Sequence, residues 1–147
     1  MEFINKIKVS DHDGKAVHVI VPDDYHPPVL YGGLEWVEAL QSGKYQQGQN
    51  RLITNSGGYC CLGVWCAIRG YEQGKDSCGY PYFVIGGRSL STLPSDGSLL
   101  SEGFLPKSVY VKIEDEPAIY KWDVLNDNYK LPFTLLAKIA RAVYDLQ

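Results

Sequence analysis

The sequence predicts a single α+β domain over residues 1–147. A small antiparallel sheet packs against a central buried helix and a C-terminal helix, with an N-terminal β-hairpin in front of them. Three observations carry this prediction. Apolar residues alternate with polar ones on both sides of an Asp-Gly turn near the start of the chain. A short, almost wholly apolar segment begins at Cys60 and stops at Gly70. Near the end, Phe133, Leu136, Ile139, Ala140 and Val143 recur at the spacing of one helix face.

The hairpin occupies residues 3–21. Ile7 and Val9 alternate with Lys6 and Lys8, and Val17, Val19 and Val21 alternate with His18 and Ile20. Asp13-Gly14 between them suits the positive φ of a tight hairpin turn. Pro22 ends the second strand, and Pro27-Pro28 stiffens the connection that follows. Residues 34–42 read as a helix, with Trp36, Val37 and Leu40 on one face and Gly43 at the residue after its end. A strand is expected at 51–54, and another at 80–85 ended by Gly86-Gly87. Residues 86–103, rich in Gly, Ser and Leu, read as a long loop. Phe104-Leu105-Pro106-Lys107-Ser108-Val109 starts a further strand or short helix. Pro132 suits the first turn of the last helix.

Composition narrows the function classes. The chain is 45% hydrophobic and 21% charged, with a net charge of −3. Generic nucleic-acid binding needs a dense basic surface, which this balance does not supply. A small anion held by one or two of the four arginines (Arg51, Arg69, Arg88 and Arg141) stays compatible with it. No apolar run approaches the roughly 18 residues of a membrane span, and Met1-Glu2-Phe3-Ile4-Asn5-Lys6 does not read as a secretory signal. The expectation is a cytoplasmic protein with reduced thiols and no membrane partner. Eleven tyrosines, against four phenylalanines and three tryptophans, suit either the edge of a modest core or a binding surface.

Tyr59-Cys60-Cys61-Leu62-Gly63-Val64-Trp65-Cys66 holds three of the four cysteines. A zinc site is not expected. Each helical residue advances about 100°, so Cys61 and Cys66 stand about 140° apart and do not converge on one metal. A thiol at a helix start can be activated by the helix dipole. The segment resembles the Asp-Cys-Ser-Gly-Leu-Val signature of papain-like cell-wall peptidases. That resemblance implies Cys60 or Cys61 as nucleophile. Because all three histidines precede the cysteines, it requires a permuted order with His18 as base. The alternative activity is therefore a cysteine hydrolase or transferase. Gly63 inside the helix costs about 1 kcal/mol against alanine, and a close backbone neighbour would explain it. Gly86-Gly87-Arg88-Ser89 offers backbone donors for an anion or a simple turn. Glu114-Asp115-Glu116 reads as a solvated loop, and Asn126-Asp127-Asn128 as a turn or cap before the last helix.

A wider set of motifs resembles a family of small, mostly uncharacterised bacteriophage and prophage proteins. It comprises Trp36-Val37-Glu38-Ala39-Leu40-Gln41-Ser42-Gly43-Lys44-Tyr45-Gln46-Gln47-Gly48, then the Tyr59–Cys66 segment, Phe104-Leu105-Pro106-Lys107-Ser108-Val109 and Leu125-Asn126-Asp127, in that order. The resemblance spans about residues 34–143 and leaves residues 1–33 as an added hairpin, suited to interaction or homo-oligomerisation through its edge. It implies an accessory protein acting in the bacterial host cytoplasm against host defence. Such a protein would be non-catalytic and without cofactor or metal. It would either sequester a nucleotide-derived signal or bind a host defence protein. Tyr45, Arg51, Tyr59, Tyr82 and Arg88 are the expected ligand-binding residues, aromatic faces stacking a base and arginine pairing with phosphate.

Overall fold

The structure, a computed structural model, describes residues 3–12, 15–22, 26–93, 103–113 and 116–147, and side chains within 26–93, 103–109 and 118–147. The chain is α+β, as predicted, but its strands form three small sheets where one was expected.

The first sheet is antiparallel. Strands β1 (Phe3–His12) and β2 (Lys15–Pro22) form the predicted hairpin, with His12 opposite Lys15. The Asp13-Gly14 turn lies outside the described residues. β2 continues the sheet by pairing with β7 (Val109–Ile113), and β7 pairs with β8 (Glu116–Tyr120), giving the order β1-β2-β7-β8. The hairpin is thus joined to the rest of the chain by a ladder, Val17 opposite Ile113 and Val19 opposite Val111. Of the acidic run, Glu116 begins β8, while Glu114 and Asp115 lie outside the described residues.

The second sheet pairs two chain-distant pieces in parallel, β3 (Val29–Leu30) and β9 (Asp145–Leu146). The third runs β4 (Gln73–Lys75), β5 (Pro81–Ile85) and β6 (Arg88–Leu90). Here the loop expected from residue 86 is corrected. Ile85 pairs with Arg88, so Gly86 and Gly87, with φ of 58° and 80°, are a two-residue hairpin turn. Residues 94–102 of that expected loop lie outside the described residues. The strand expected at 51–54 is a bridge only, Ile53 to Tyr59.

Helices α1 (Gly33–Gln41), α2 (Cys61–Ile68) and α4 (Phe133–Val143) fall where periodicity places them. α3 (Trp122–Asp127) was not anticipated: Asn126-Asp127 sits inside this short helix and not in a turn before the last one. The core gathers the predicted faces. Trp36, Val37 and Leu40 of α1 are buried, as are all five stripe residues of α4. At its centre the three tryptophans meet edge to face, Trp36 to Trp65 at 5.7 Å and Trp36 to Trp122 at 5.0 Å between ring centres. Such contacts add about 0.5–1.5 kcal/mol each beyond the area they bury.

Helix α2 runs through this centre because of Gly63. A Cβ built there would lie 1.8 Å from the Leu52 carbonyl oxygen, so only glycine lets the 50–54 backbone pass so close. The same Leu52 carbonyl accepts the Cys60 N–H at 3.3 Å. The close neighbour expected from the sequence is thus the main chain of Leu52.

Candidate ligand cleft

The C-terminal end of α2 helps to build a ligand-sized cleft. Gly70 has φ +74° and follows the capping residue Arg69. The Gly70 N–H bonds to the Ala67 carbonyl at 3.2 Å, and the Tyr71 N–H reaches back to the Cys66 carbonyl at 3.1 Å. This is a Schellman cap, in which a left-handed glycine turns the chain sharply and satisfies the last carbonyls. It leaves Trp65 and Arg69 one turn apart on the same helix face, with Tyr71 swung beside them. The Arg69 guanidinium stands 5.4 Å from the Trp65 ring centre.

Facing them is the 103–107 segment, fixed through its carbonyls. Trp65 Nε1 and the Tyr71 hydroxyl both donate to the Phe104 carbonyl at 2.8 Å. Trp122 Nε1 donates to the Lys107 carbonyl at 2.9 Å, and the Tyr144 hydroxyl donates to the same oxygen. The Phe104-Leu105-Pro106-Lys107 motif is therefore a backbone segment pinned by indole and phenol donors. The third wall is β3 and Tyr31. β9 and Gln147 after it hold this wall: the Asp145 N–H donates to the Pro28 carbonyl at 3.0 Å, and the Gly32 N–H donates to the Gln147 carbonyl at 3.1 Å.

These walls enclose a cleft of about 300 Å³, near the lower end of the range for small-molecule sites. Its body is apolar and aromatic, from Leu30, Leu105, Pro106, Trp65 and Tyr71. Among the described residues its charged lining is Arg69 and Lys107, with no acidic residue. Val29, 46% exposed, and Tyr31, 74% exposed, put large apolar surface at the same place, which marks interaction surfaces more often than chance exposure does. Among the described residues neither Arg69 nor Lys107 has an ion-pair partner.

The five residues expected to bind ligand lie elsewhere, and none lines this cleft. Tyr45 and Tyr59 do come together, edge to face at 5.3 Å, and Tyr59 leans on Phe83. Arg51 lies over the Tyr80 ring at 5.4 Å. Tyr82 covers Gly74 across the β4–β5 ladder, and Arg88 sits exposed beside its hairpin turn. Sequence reasoning passed over Trp65, Arg69 and Tyr71. The signal was present as Trp-x3-Arg-Gly-Tyr, a helical i, i+4 pair followed by a helix-ending glycine.

The thiols occupy a different environment. Cys60 and Cys61 are 2% and 0% exposed. Burial pushes the Cys60 thiol up to about 12, and the Asp127 and Asp123 charges push the same way, against the Gly63 N–H that its sulfur accepts at 3.3 Å. Cys61 is pushed well up, first by burial and then by neighbouring Cys60 and Asp127; its Sγ donates to the Trp122 carbonyl. Burial raises Cys66 as well. Neutral thiols are poor nucleophiles. Cys60 borders a second cavity of about 120 Å³, where its charged neighbours include two carboxylates, Asp123 and Asp127, together with Arg51. The candidate base His18 lies in β2, and its side chain is outside those described. Among the described residues no group of three or more potential metal ligands converges.

Asn126, the one buried polar side chain in the described core, ties these parts together. Its Oδ1 accepts from the Cys61 N–H at 3.2 Å and from Gln47 Nε2 at 2.9 Å; its Nδ2 donates to the Gly48 carbonyl and to Asp127 Oδ1, both at 2.8 Å. All four hydrogen-bonding positions of the amide are used. The capping role expected of this segment is real but acts at a distance: Asn126 serves the first turn of α2, 65 residues earlier in the chain.

Residues 34–143 match a family described as a domain of unknown function (DUF8296). The chain belongs to this family. The matched region contains α1 to α4 and most of the cleft, and the β1–β2 hairpin precedes it. No curated protein and no solved structure shows significant similarity to the chain.

Proposed function

We propose that this DUF8296 protein is a non-catalytic binding protein that holds a small nucleotide-like ligand in the cleft between α2, the 103–107 segment and β3. The observation that carries this reading is the meeting of Arg69 and Lys107, with no acidic side chain among the described lining residues, and the accessible aromatic rings of Tyr31 and Tyr71 in one concavity. Guanidinium and ammonium groups suit a phosphate, and aromatic faces suit a base. The reactive thiol that a hydrolase would need is not among the lining residues, and the three thiols of α2 and its cap are buried and held neutral.

The resemblance to bacteriophage accessory proteins extends the proposal to a role: sequestering a nucleotide-derived defence signal in the host cytoplasm. Between that role and capture of a defence protein, a cleft of this size favours the small signal. Among the described residues no helix is long and apolar enough to cross a membrane. The test is to incubate the protein with a mixed nucleotide pool, remove free ligand, denature, and identify what is released by mass spectrometry. Release of an intact nucleotide is expected. A changed mass would point to the cysteine hydrolase or transferase alternative, and recovery of nothing would overturn sequestration.

A further inference from the structure

We infer that Gly32, which does not itself line the cleft, is a positioning residue of it: the missing side chain at position 32 gives the Arg69 guanidinium its place, where the phosphate of a ligand meets it. This rests on the reading of the cleft as a nucleotide site and adds the residue that readies the cation before the ligand arrives.

An arginine at a helix end carries a long side chain with many rotamers. Ordering such a chain on binding costs affinity, and a cation already held in place avoids that cost. Two contacts hold Arg69. Its guanidinium lies 5.4 Å from the Trp65 ring centre, within the range of a cation–π contact. It also lies against Gly32, where a Cβ would overlap Nη1 and would stand 3.3 Å from Cζ and 3.6 Å from Cδ. The outer half of the Arg69 side chain therefore runs past the Gly32 main chain at a distance that only glycine permits. That main chain is a fixed support. The Gly32 N–H donates to the Gln147 carbonyl at 3.1 Å, and the Gly32 carbonyl accepts the Trp36 N–H at 3.0 Å as the first bond of α1. Its φ of 83° is one that glycine adopts without strain. The residue before it, Tyr31, lines the same cleft and is 74% exposed. Consecutive residues thus supply an accessible aromatic wall and the support for the cation.

A methyl group at position 32 would take the place of the guanidinium. Nη1 is the tip of a flexible side chain, so Arg69 swings aside and the fold need not move. The ligand must then order the displaced cation again. Gly32→Ala is therefore expected to weaken AMP binding by about 3–10-fold, the cost of ordering one long side chain. Because the effect acts through Arg69, the same substitution in an Arg69→Gln background should change affinity by less than about twofold. The experiment is calorimetric titration of AMP into the full chain as wild type, Gly32→Ala, Arg69→Gln and the double variant. Alongside it, NMR follows the Arg69 Nε–H resonance, assigned by its loss in Arg69→Gln. In the wild type the Trp65 ring current displaces this resonance from the ordinary arginine position, and Gly32→Ala is expected to return it. Should the alanine variant not fold, Gly32→Asn takes its place, since asparagine carries the same Cβ and tolerates a left-handed φ. A returned resonance, with binding weakened in the single variant and no further in the double, supports the inference. An unmoved resonance, an unchanged affinity of Gly32→Ala, or an equal loss in both backgrounds overturns it. If the resonance returns but the wild type does not bind AMP, the support of Arg69 by Gly32 stands and the nucleotide site is overturned.

Discussion

Gly63 shows how one missing side chain sets the core. Its hydrogen stands where a Cβ would lie 1.8 Å from the Leu52 carbonyl oxygen, and that oxygen belongs to the backbone, which cannot rotate aside. Gly63→Ala is expected to destabilise the protein by about 3 kcal/mol, as overpacking of a tight core does at its upper end, despite alanine's better helix propensity. Denaturant melting measures this, and a stability equal to or above that of the wild type would show that α2 does not run against Leu52. Asp123 is a second residue at odds with its surroundings. Its Oδ1 is buried without a hydrogen-bond partner, and burial, reinforced by Asp127, raises its acid above the ordinary 3.8. A carboxyl raised on folding binds its proton more tightly in the folded state. Its contribution to stability is therefore fully present below the unfolded value and is lost as pH rises through the folded one. Asp123→Asn removes that loss. The variant should gain on the wild type in denaturation midpoint as pH rises above the ordinary 3.8, and a difference constant with pH would contradict the assignment.

At the scale of elements, α2 is defined by its two ends. Its start depends on Asn126 of α3, which accepts the Cys61 N–H, and its finish on the Gly70 cap, which aims Arg69 and Tyr71. Asn126→Ala leaves the buried Cys61 N–H and the Gly48 carbonyl without their side-chain partner. At about 1–3 kcal/mol for each stranded group, a loss of roughly 3 kcal/mol is expected. Amide hydrogen exchange should show the loss first at the start of α2, and protection there unchanged from wild type would remove Asn126 from this role. The same elements explain what the sequence made legible. Helices α1, α2 and α4 and the strands β1, β2 and β5 announce themselves through periodicity, Gly43, Gly70 and Asp13-Gly14, all local signals. α3 did not, because six residues with a buried asparagine look like a turn until their partner Cys61 is known. The 51–54 segment, expected as a strand, makes only the bridge from Ile53 to Tyr59, and its Leu52 carbonyl lies against Gly63 of α2.

At the scale of the whole molecule, the cleft is assembled from three parts of the chain: the end of α2, the 103–107 segment and β3 held by β9. Such an assembly leaves no compact motif to find. The residues first expected to bind ligand, Tyr45, Arg51, Tyr59, Tyr82 and Arg88, were chosen by type, and type does not reveal which aromatics and cations share a wall. Tyr45 and Tyr59 instead pack on each other, and Arg51 packs on Tyr80. The thiol cluster that dominates the sequence proves to be the interior of α2 and its cap, and the chemistry of recognition moves one turn further to Arg69, which is exposed at the helix end. The most direct test is calorimetric binding of AMP to the wild type and to Arg69→Gln, with the melting temperature of each as a control. An arginine–phosphate hydrogen bond contributes about 1.5–3 kcal/mol, and each 1.4 kcal/mol is tenfold in affinity. The cleft account predicts affinity weaker by about 10–100-fold with the melting temperature unchanged; AMP binding that is undiminished in Arg69→Gln would contradict it.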